Sequence, residues 1–303
     1  MIFTIPKLLL RTYIISFILW IIFTTVIPQV SLKYKDSRIK TNKFDTTTYP
    51  YSSITFPKSL PITNSLVYFI IGHPDDEVMF FAPSLIELSK SKYNNYIKLI
   101  SLSKGDYLDD SWGSIRSNEL VRSCEILGID KSNITIENFR DGMNQNWSNV
   151  DLKSTLRKHI KDVENLVLIT FDNQGVSKHP NHISLYHGTK LFVKSSKNKP
   201  TLYVLKSLNF AEKYSFTIFS NIEIFFDIIS NFIQRFIPVN INISFFNKAS
   251  IGKNVKIYSD LNMLSLSYAA MTYGHFSQMV WFRYGWLLLS RYLTFNHLIE
   301  ETI

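Results

Sequence analysis

An uninterrupted apolar run leads directly into one imidazole and three carboxylates in the stretch Leu66-Val67-Tyr68-Phe69-Ile70-Ile71-Gly72-His73-Pro74-Asp75-Asp76-Glu77. A short apolar run rich in β-branched residues predicts a strand that is buried on both faces of a parallel sheet. In open α/β sheets, ligands bind just beyond the carboxyl ends of such strands. The four ionisable side chains that follow this strand are therefore predicted to lie at a functional site.

The pattern around this stretch alternates between strands and helices. Further strands are predicted at residues 97–102, 134–138, 166–170 and 201–205, and a helix is predicted at residues 115–127. Such alternation is typical of βαβ units. We therefore expect an α/β domain with a Rossmann-like, mostly parallel sheet flanked by helices.

A second strand exit also carries ligand-type residues. The predicted strand at 166–170 continues into FDNQGVSKHPNH, residues 171–182, which ends with His179 and His182. A catalytic zinc site needs three nitrogen or oxygen ligands and one open position for water. His73, Asp76 and His182 are the predicted ligands of a divalent metal ion, with Zn²⁺ as the first candidate, although the same donors accept other divalent ions.

Two remaining side chains fit the chemistry that a metal ion supports. A bound Zn²⁺ lowers the pKa of water to about 7, and a free carboxylate beside that water can accept its proton. Asp75 is the candidate general base, and a protonated His179 is the candidate for stabilising an oxyanion. The alternative is that the acidic motif caps a helix and that both histidines lie in a surface loop.

Composition limits the classes of function. The chain has 303 residues, a net charge of +9, 46% hydrophobic residues and a single cysteine, Cys124. The positive charge suits an anionic lipid or substrate. Nucleic acid is not an expected partner, because no basic run with interleaved aromatic residues and no known nucleic-acid module is present.

The N-terminus resembles a membrane segment. Residues 12–30, TYIISFILWIIFTTVIPQV, carry no charge, and roughly 20 apolar residues are enough to cross a bilayer as a helix. We expect an uncleaved anchor over residues 1–31; a cleaved signal peptide is the alternative. Basic residues are more numerous after this segment, which predicts that the bulk of the chain faces the cytosol. In that orientation the sequons at Asn133, Asn146 and Asn242 stay unglycosylated.

Taken together, these motifs resemble the zinc-dependent sugar de-N-acetylases, and among them the N-acetylglucosaminyl-phosphatidylinositol de-N-acetylases. Besides the two strand exits, the resemblance rests on SIRSNEL with SCEILGI at 114–129 and on MTYGHFSQ, WFR and SRY at 271–292. It covers residues from about 66 to 185 and from 257 to 298. Asn181 departs from the pattern, because some bacterial members have aspartate there.

The resemblance implies a function, a location and further site residues. It implies metal-dependent removal of acetate from a phosphoinositide glycolipid, early in GPI-anchor synthesis, at the endoplasmic reticulum membrane. The corresponding domain plan is an anchor at 1–31, a linker at 32–62 and a catalytic domain at 63–303. Arg116 and Asp141 are implied to bind substrate, and Asp172 is expected to orient a histidine from behind.

Two alternatives remain open from the sequence. One is a de-N-acetylase that acts on a different, soluble N-acetylglucosaminide, and the other is a non-catalytic membrane scaffold.

Two further apolar segments bear on membrane contact. Residues 216–237 are interpreted as an amphipathic helix rather than a second span, because charges interrupt them. Residues 279–289, which include Arg283, are interpreted as buried near the lipid tail of the substrate.

Overall fold

The computed structural model describes residues 4–30, 53–57, 59–107, 110–234 and 253–303. Within these ranges one sheet runs through the domain. Its strands are β1 (Ile54–Phe56), β2 (Leu66–Ile71), β3 (Tyr96–Ser101), β4 (Ile134–Ile136), β5 (Leu166–Phe171), β6 (Thr201–Leu205), β7 (Asn254–Tyr258) and β8 (Phe295–Glu300).

The strand order is β1-β7-β8-β6-β5-β2-β3-β4. The five strands from β6 to β4 are parallel, which confirms the predicted mostly parallel sheet. β2 and β5 are neighbours in this sheet, yet the chain after β2 continues outward through β3 and β4 before it returns to β5. The strand order therefore reverses between β2 and β5, which is the position where doubly wound sheets bind their ligands.

Helices cover the sheet and connect its strands. They are α1 (Thr4–Ile21), α2 (Asp76–Met79), α3 (Ala82–Leu88), α4 (Asp110–Ile126), α5 (Asn149–His159), α6 (Gly175–Lys178), α7 (Pro180–Ser195), α8 (Phe210–Lys213), α9 (Ile218–Gln234), α10 (Leu261–Ala269) and α11 (Trp281–Leu289). π-helical segments span Ile22–Val26 and Ala270–Gly274. The predicted helix at 115–127 corresponds to α4, which begins five residues earlier.

The other edge of the sheet is antiparallel and was not expected from the sequence. β8 pairs with both β6 and β7, and β1 pairs with β7, so three strands extend the parallel sheet. β1 comes from residues that the sequence assigned to the linker, and Leu60 and Ile62 after it are buried. The end of the linker segment is therefore part of the domain, whereas residues 31–52 lie outside the described ranges.

The N-terminal helix packs along the domain. A continuous helical stretch over Pro6–Val30 is long and apolar enough to cross a membrane. The Tyr13 hydroxyl donates to the carbonyl of Tyr214 at 2.9 Å, and Trp20 is fully buried. The backbone N–H of Leu261 donates to the hydroxyl of Thr25 at 3.0 Å. One side of the helix is therefore fixed to the domain from about Tyr13 to Thr25.

Candidate metal centre and active site

Two loops meet at the point where the strand order reverses. One follows β2 and carries His73, Asp75 and Asp76, and the other follows β5 and carries His179 and His182. Residues Leu66 to Phe69 pair in register with Leu166 to Ile169, so both loops leave the same edge of the sheet. The sheet thus brings together ligand-type residues that are about a hundred positions apart in the sequence.

Three donor atoms converge between these loops. Asp76 Oδ2 lies 3.1 Å from His182 Nε2 and 3.5 Å from His73 Nδ1, and the two imidazole nitrogens are 3.3 Å apart. Nitrogen and oxygen ligands lie about 2.0–2.1 Å from a tetrahedral zinc ion, which puts neighbouring donors about 3.3 Å apart. The three atoms therefore have the spacing of one face of a metal tetrahedron. The chemistry of the donor set fits a divalent ion.

The backbone around these atoms leaves little room. Asp76 Oδ2 accepts hydrogen bonds from the N–H groups of Gly72 and His73, each at 2.9 Å. A Cβ at Gly72 would lie 3.0 Å from Cδ2 of His182 and 3.2 Å from Asp76 Oδ2. Any side chain at this position would therefore press against donors of both loops, which favours glycine before the histidine.

His73 is held from behind by a carboxylate and an amide. Its Nε2 lies 3.0 Å from Asp141 Oδ1 and 3.0 Å from Asn181 Oδ1. Burial opposes a charge on this imidazole, but the hydrogen bonds to Asp141 and Asp76 outweigh burial and raise its pKa to about 10. With the proton fixed on Nε2, the nitrogen that faces the centre is Nδ1. Asp141 and Asn181 therefore orient His73 in the manner of the outer partners of metal-ligating histidines.

His182 is oriented by the loop before it. Its Nδ1 lies 3.2 Å from the carbonyl oxygen of Gly175, and its ring stacks on Phe171 with centroids 3.8 Å apart. The Asp172 carboxylate accepts from the N–H groups of Gln174 and Gly175 and from Ser207. Asp172 therefore acts on the loop that carries the Gly175 carbonyl, and not on an imidazole directly as the sequence analysis expected.

His179 adjoins both other histidines, whose charges oppose a charge on its own imidazole. Its ring centroid is 4.8 Å from those of His73 and His182, and each of the three imidazoles can contribute a nitrogen to one cluster. Burial and the charges of the two neighbouring histidines lower the pKa of His179 to about 4. Its Nδ1 accepts the N–H of Asn181 at 3.3 Å, so the proton resides on Nε2. The neutral imidazole, with Nε2–H as its donor, is therefore favoured, and stabilisation of an oxyanion by His179 stays a prediction.

Asp75 points to two arginines. Its Oδ2 lies 2.6 Å from Arg283 Nη2 and 3.4 Å from Arg116 Nη2. Its backbone φ of 115° falls in a region that non-glycine residues rarely adopt, and such strain concentrates at functional sites. Arg116 also donates to the carbonyls of Gly105 and Pro74, so its guanidinium holds the loop after β2.

A buried network joins this loop to the C-terminal part of the chain. Glu77 Oε1 accepts from His275 Nε2 and from the Ser123 hydroxyl, each at 2.6 Å, and Glu77 Oε2 accepts the N–H of Asp75 at 3.1 Å. Burial opposes the charge on His275, but Glu77 raises the pKa of its imidazole. The motif of residues 275–283 therefore supports the acidic loop from behind.

Arg283 is the main site residue that sequence reasoning missed. It was interpreted as lying near the lipid tail, whereas its guanidinium contacts a carboxylate of the acidic motif. The signal was present in the WFR motif, but no rule of spacing connects that motif with Asp75. Arg116 and Asp141, predicted to bind substrate, lie 3.6 Å apart, and each also contacts a site residue, Arg116 at Asp75 and Asp141 at His73.

The chain is similar in sequence to known proteins. A family model described as PIG-L, GlcNAc-PI de-N-acetylase, matches residues 68–193. A probable N-acetylglucosaminyl-phosphatidylinositol de-N-acetylase of Schizosaccharomyces pombe is 34% identical over 239 residues, which cover 78% of this chain and 87% of the relative. This chain belongs to that family. The Saccharomyces cerevisiae member is 33% identical over 75% of this chain and 78% of its own length.

The fold of this family member also matches solved structures. A deacetylase of the teicoplanin biosynthetic pathway superposes with a TM-score of 0.52 over 78% of this chain and 97% of its own, at 13% identity. At that identity the likeness concerns the fold alone. It agrees with the mostly parallel sheet and its flanking helices.

Proposed function

We propose that this chain hydrolyses the acetamide of N-acetylglucosaminyl-phosphatidylinositol and releases glucosaminyl-phosphatidylinositol and acetate, an early step of GPI-anchor synthesis. The observation that carries the proposal is the convergence of His73, Asp76 and His182 within 3.5 Å at the reversal of the strand order. The names of the relatives supply the substrate class. Cleavage of an amide is the reaction that a hydrated divalent ion beside a free carboxylate performs well.

His73, Asp76 and His182 are assigned as ligands of a divalent ion, with Zn²⁺ as the first candidate. When bound there, the ion supplies a Lewis acid and a nucleophile at neutral pH. Asp141 and Asn181 fix the tautomer of His73, and the Gly175 carbonyl fixes that of His182. Both histidines thereby direct an unprotonated nitrogen toward the centre once the ion has displaced the competing proton.

Proton transfer falls to the groups beside the ligands. Asp75 accepts the proton of the attacking water and returns it to the departing amine. Its Oδ2 is held by Arg283 and Arg116, so Oδ1 is the oxygen assigned to this step. The Nε2–H of His179 donates to the carbonyl oxygen of the acetamide as negative charge develops there.

The substrate is a membrane lipid, and the protein is assigned to the same membrane. The helical stretch Pro6–Val30 is assigned as a single anchor in the endoplasmic reticulum, with the catalytic domain on the cytosolic side. An enzyme held at the bilayer searches for its substrate in two dimensions, which favours the lipid over a soluble sugar.

The test is acetate release from N-acetylglucosaminyl-phosphatidylinositol in vesicles, with metal content measured on the same samples. Asp75→Asn is expected to keep its metal and lose about 10²- to 10⁴-fold in kcat, as expected for loss of a general base. His182→Ala is expected to lose both metal and activity. The water-soluble head group without its lipid tails serves as the competing substrate.

Each alternative predicts a different result. Equal kcat/KM for the lipid and for the soluble head group would move the assignment to a soluble N-acetylglucosaminide. If the folded, metal-loaded wild type releases no acetate from either substrate, the proposed reaction is contradicted, and a non-catalytic membrane scaffold is favoured.

A further inference from the structure

Helix α9 carries its charges inward and its apolar side chains outward. Glu223 and Asp227 are buried, and each carboxylate lies 2.7 Å from the Lys256 ammonium on β7. Exposed positions on the opposite face follow helical spacing: they are Phe225 (60% exposed), Ile228 (48%) and Phe232 (61%). A helix on the surface of a soluble protein has the reverse arrangement. The outer face of α9 is therefore suited to an apolar environment.

Helix α11 and the segment before it present a second apolar face. From residue 273 to residue 289, the exposed positions carry no charge. They are Tyr273, Phe276, Val280, Trp281, Phe282, Tyr284, Gly285, Leu288 and Leu289. Trp281 is 86% exposed, and Arg283, which is the charged residue of this helix, turns inward to Asp75.

These two faces join the N-terminal helix at one place. The N–H of Phe216, just before α9, donates to the carbonyl of Leu289 at the end of α11 at 3.0 Å. Phe216 also stacks on Phe17 of α1 with ring centroids 5.7 Å apart, and the Ser16 and Thr217 hydroxyls lie 2.9 Å apart. Helix α1, whose exposed residues include Leu8, Ile15 and Ile18, therefore meets α9 and α11 at this point.

We propose that the outer faces of α9 and α11 are seated in the same phospholipid bilayer as α1. The membrane-contacting surface, called the apolar seat, consists of Phe225, Ile228, Phe232, Trp281, Tyr284 and Leu288. The junction with α1 selects the bilayer as occupant, because α1 is long and apolar enough to cross a membrane and exposes aliphatic side chains. Tryptophan and tyrosine on α11 suit the depth of the lipid head groups.

The seat places the catalytic loop at the membrane plane. Arg283 links α11 directly to Asp75, so the seated helix separates the carboxylate from the lipid by about the thickness of one helix, ~10 Å. The domain is thus part of the membrane contact, beyond a tether through α1. This inference rests on the proposed membrane anchor α1, and it is independent of the reaction proposed above.

The test measures the depth of single spin labels in the full chain, reconstituted at low protein density in phosphatidylcholine and phosphatidylinositol vesicles. Labels are attached at Phe225→Cys and Trp281→Cys, while the native Cys124 is buried and stays unlabelled. Tyr96→Cys is the matched control, since Tyr96 is an exposed aromatic residue at the start of β3, at the opposite end of the sheet. The measurement compares how often each spin label collides with oxygen, which dissolves in lipid, and with a nickel chelate, which stays in water.

The expected result is loss of nickel access and gain of oxygen access at positions 225 and 281, with the reverse at position 96. Equal nickel access at all three positions would overturn the proposed contact between the apolar seat and the bilayer. Shielding from nickel together with spin–spin broadening at position 281 would mean that a second copy of the chain covers the face, and would overturn the bilayer as its occupant. Melting temperatures in detergent verify that each variant is folded.

Discussion

At the scale of single residues, Arg283 is predicted to position the base. Its guanidinium lies 2.6 Å from Asp75 Oδ2, and Arg116 is 3.4 Å away on the same oxygen. Arg283→Ala removes the closer contact and frees the carboxylate to rotate. We expect kcat to fall about 10- to 100-fold with unchanged metal content, the range found when a partner that orients a site residue is lost. Acetate release and metal analysis on the same sample measure both.

The matched control for Arg283 is Arg122→Ala. Arg122 lies on α4, and its guanidinium donates to the Tyr273 carbonyl at 3.5 Å, away from Asp75. Its removal is expected to leave kcat unchanged. Partial rescue by Arg283→Lys would support a role of charge, whereas metal loss in Arg283→Ala would show a general collapse of the loop and contradict the positioning role.

A buried imidazole far from the site predicts how stability depends on pH. Burial and the nearby cations Lys256, Lys206 and Arg291 hold the pKa of His297 well below its usual value of 6.5. The unfolded chain binds a proton as the pH falls through about 6.5, and the folded chain does not. Folding stability therefore declines below that pH, by up to about 1.4 kcal/mol per pH unit for this group.

The measurement for His297 is the unfolding free energy in detergent at pH 7.5 and pH 5.5. His297→Gln is expected to show a smaller loss between the two than the wild type. His187→Gln, at an exposed imidazole on α7, is the control and should keep the wild-type difference. An unchanged difference in His297→Gln would contradict the assignment of acid sensitivity to this residue.

Local sequence predicted that His73, Asp76 and His182 would meet at one edge of the sheet, but not what surrounds them, and their assignment as metal ligands stays a proposal. His73, Asp76 and His182 each follow an apolar strand at a short distance, and strand exits in parallel sheets share one edge. The charge of His179 depends on burial and on two neighbouring imidazoles, one of them from the other loop, so the residue type alone does not determine it. The contact between Arg283 and Asp75 spans 208 residues and depends on how the C-terminal segment packs.

At the scale of elements, two glycines near the site predict opposite effects. A Cβ at Gly274, in the π-helical segment, would lie 2.7 Å from the Cα of Ser123 on α4. Backbone atoms have little freedom to move away, so Gly274→Ala is expected to cost about 1–3 kcal/mol. Ser123 donates to Glu77, so activity should fall as well. Thermal unfolding and acetate release measure the two effects.

Gly285 provides the control within the same region. It lies on the exposed face of α11, and a Cβ there would meet nothing within 4 Å. Gly285→Ala is expected to be neutral or to stabilise the helix by about 0.5–1 kcal/mol. Equal melting temperatures for the two alanine variants would contradict the close crossing of the π-helical segment and α4.

The parallel strands were predictable, whereas the antiparallel ones were not. β2, β3, β5 and β6 are short apolar runs, which is the pattern of strands buried on both faces. β7 and β8 carry buried polar side chains, among them Lys256, Asn296 and His297, and these hide the apolar pattern. The charges of α9 argued against a second span, but the sequence could not show that they turn inward to Lys256.

At the scale of the whole molecule, the N-terminal helix is predicted to stabilise the domain as well as anchor it. Trp20 is fully buried against the domain, while its neighbour Leu19 is 41% exposed. Trp20→Ala is expected to cost about 3–5 kcal/mol, the range for truncating a large buried aromatic residue. Leu19→Ala is the control and should leave the melting temperature in detergent nearly unchanged. Equal losses would mean that α1 is a free tether.

The support of the acidic loop by His275 and Arg283 has a consequence for biosynthesis. The loop leaves the ribosome about 200 residues before its partners, with separations of 198 and 208 positions along the chain. At about 5–20 residues per second, this interval lasts about 10–40 s. During that time the nascent protein gains Arg116 and all three donors, but not His275 or Arg283. A message truncated before codon 283 would therefore yield an inert product, because it lacks the arginine that contacts Asp75 and also strand β8.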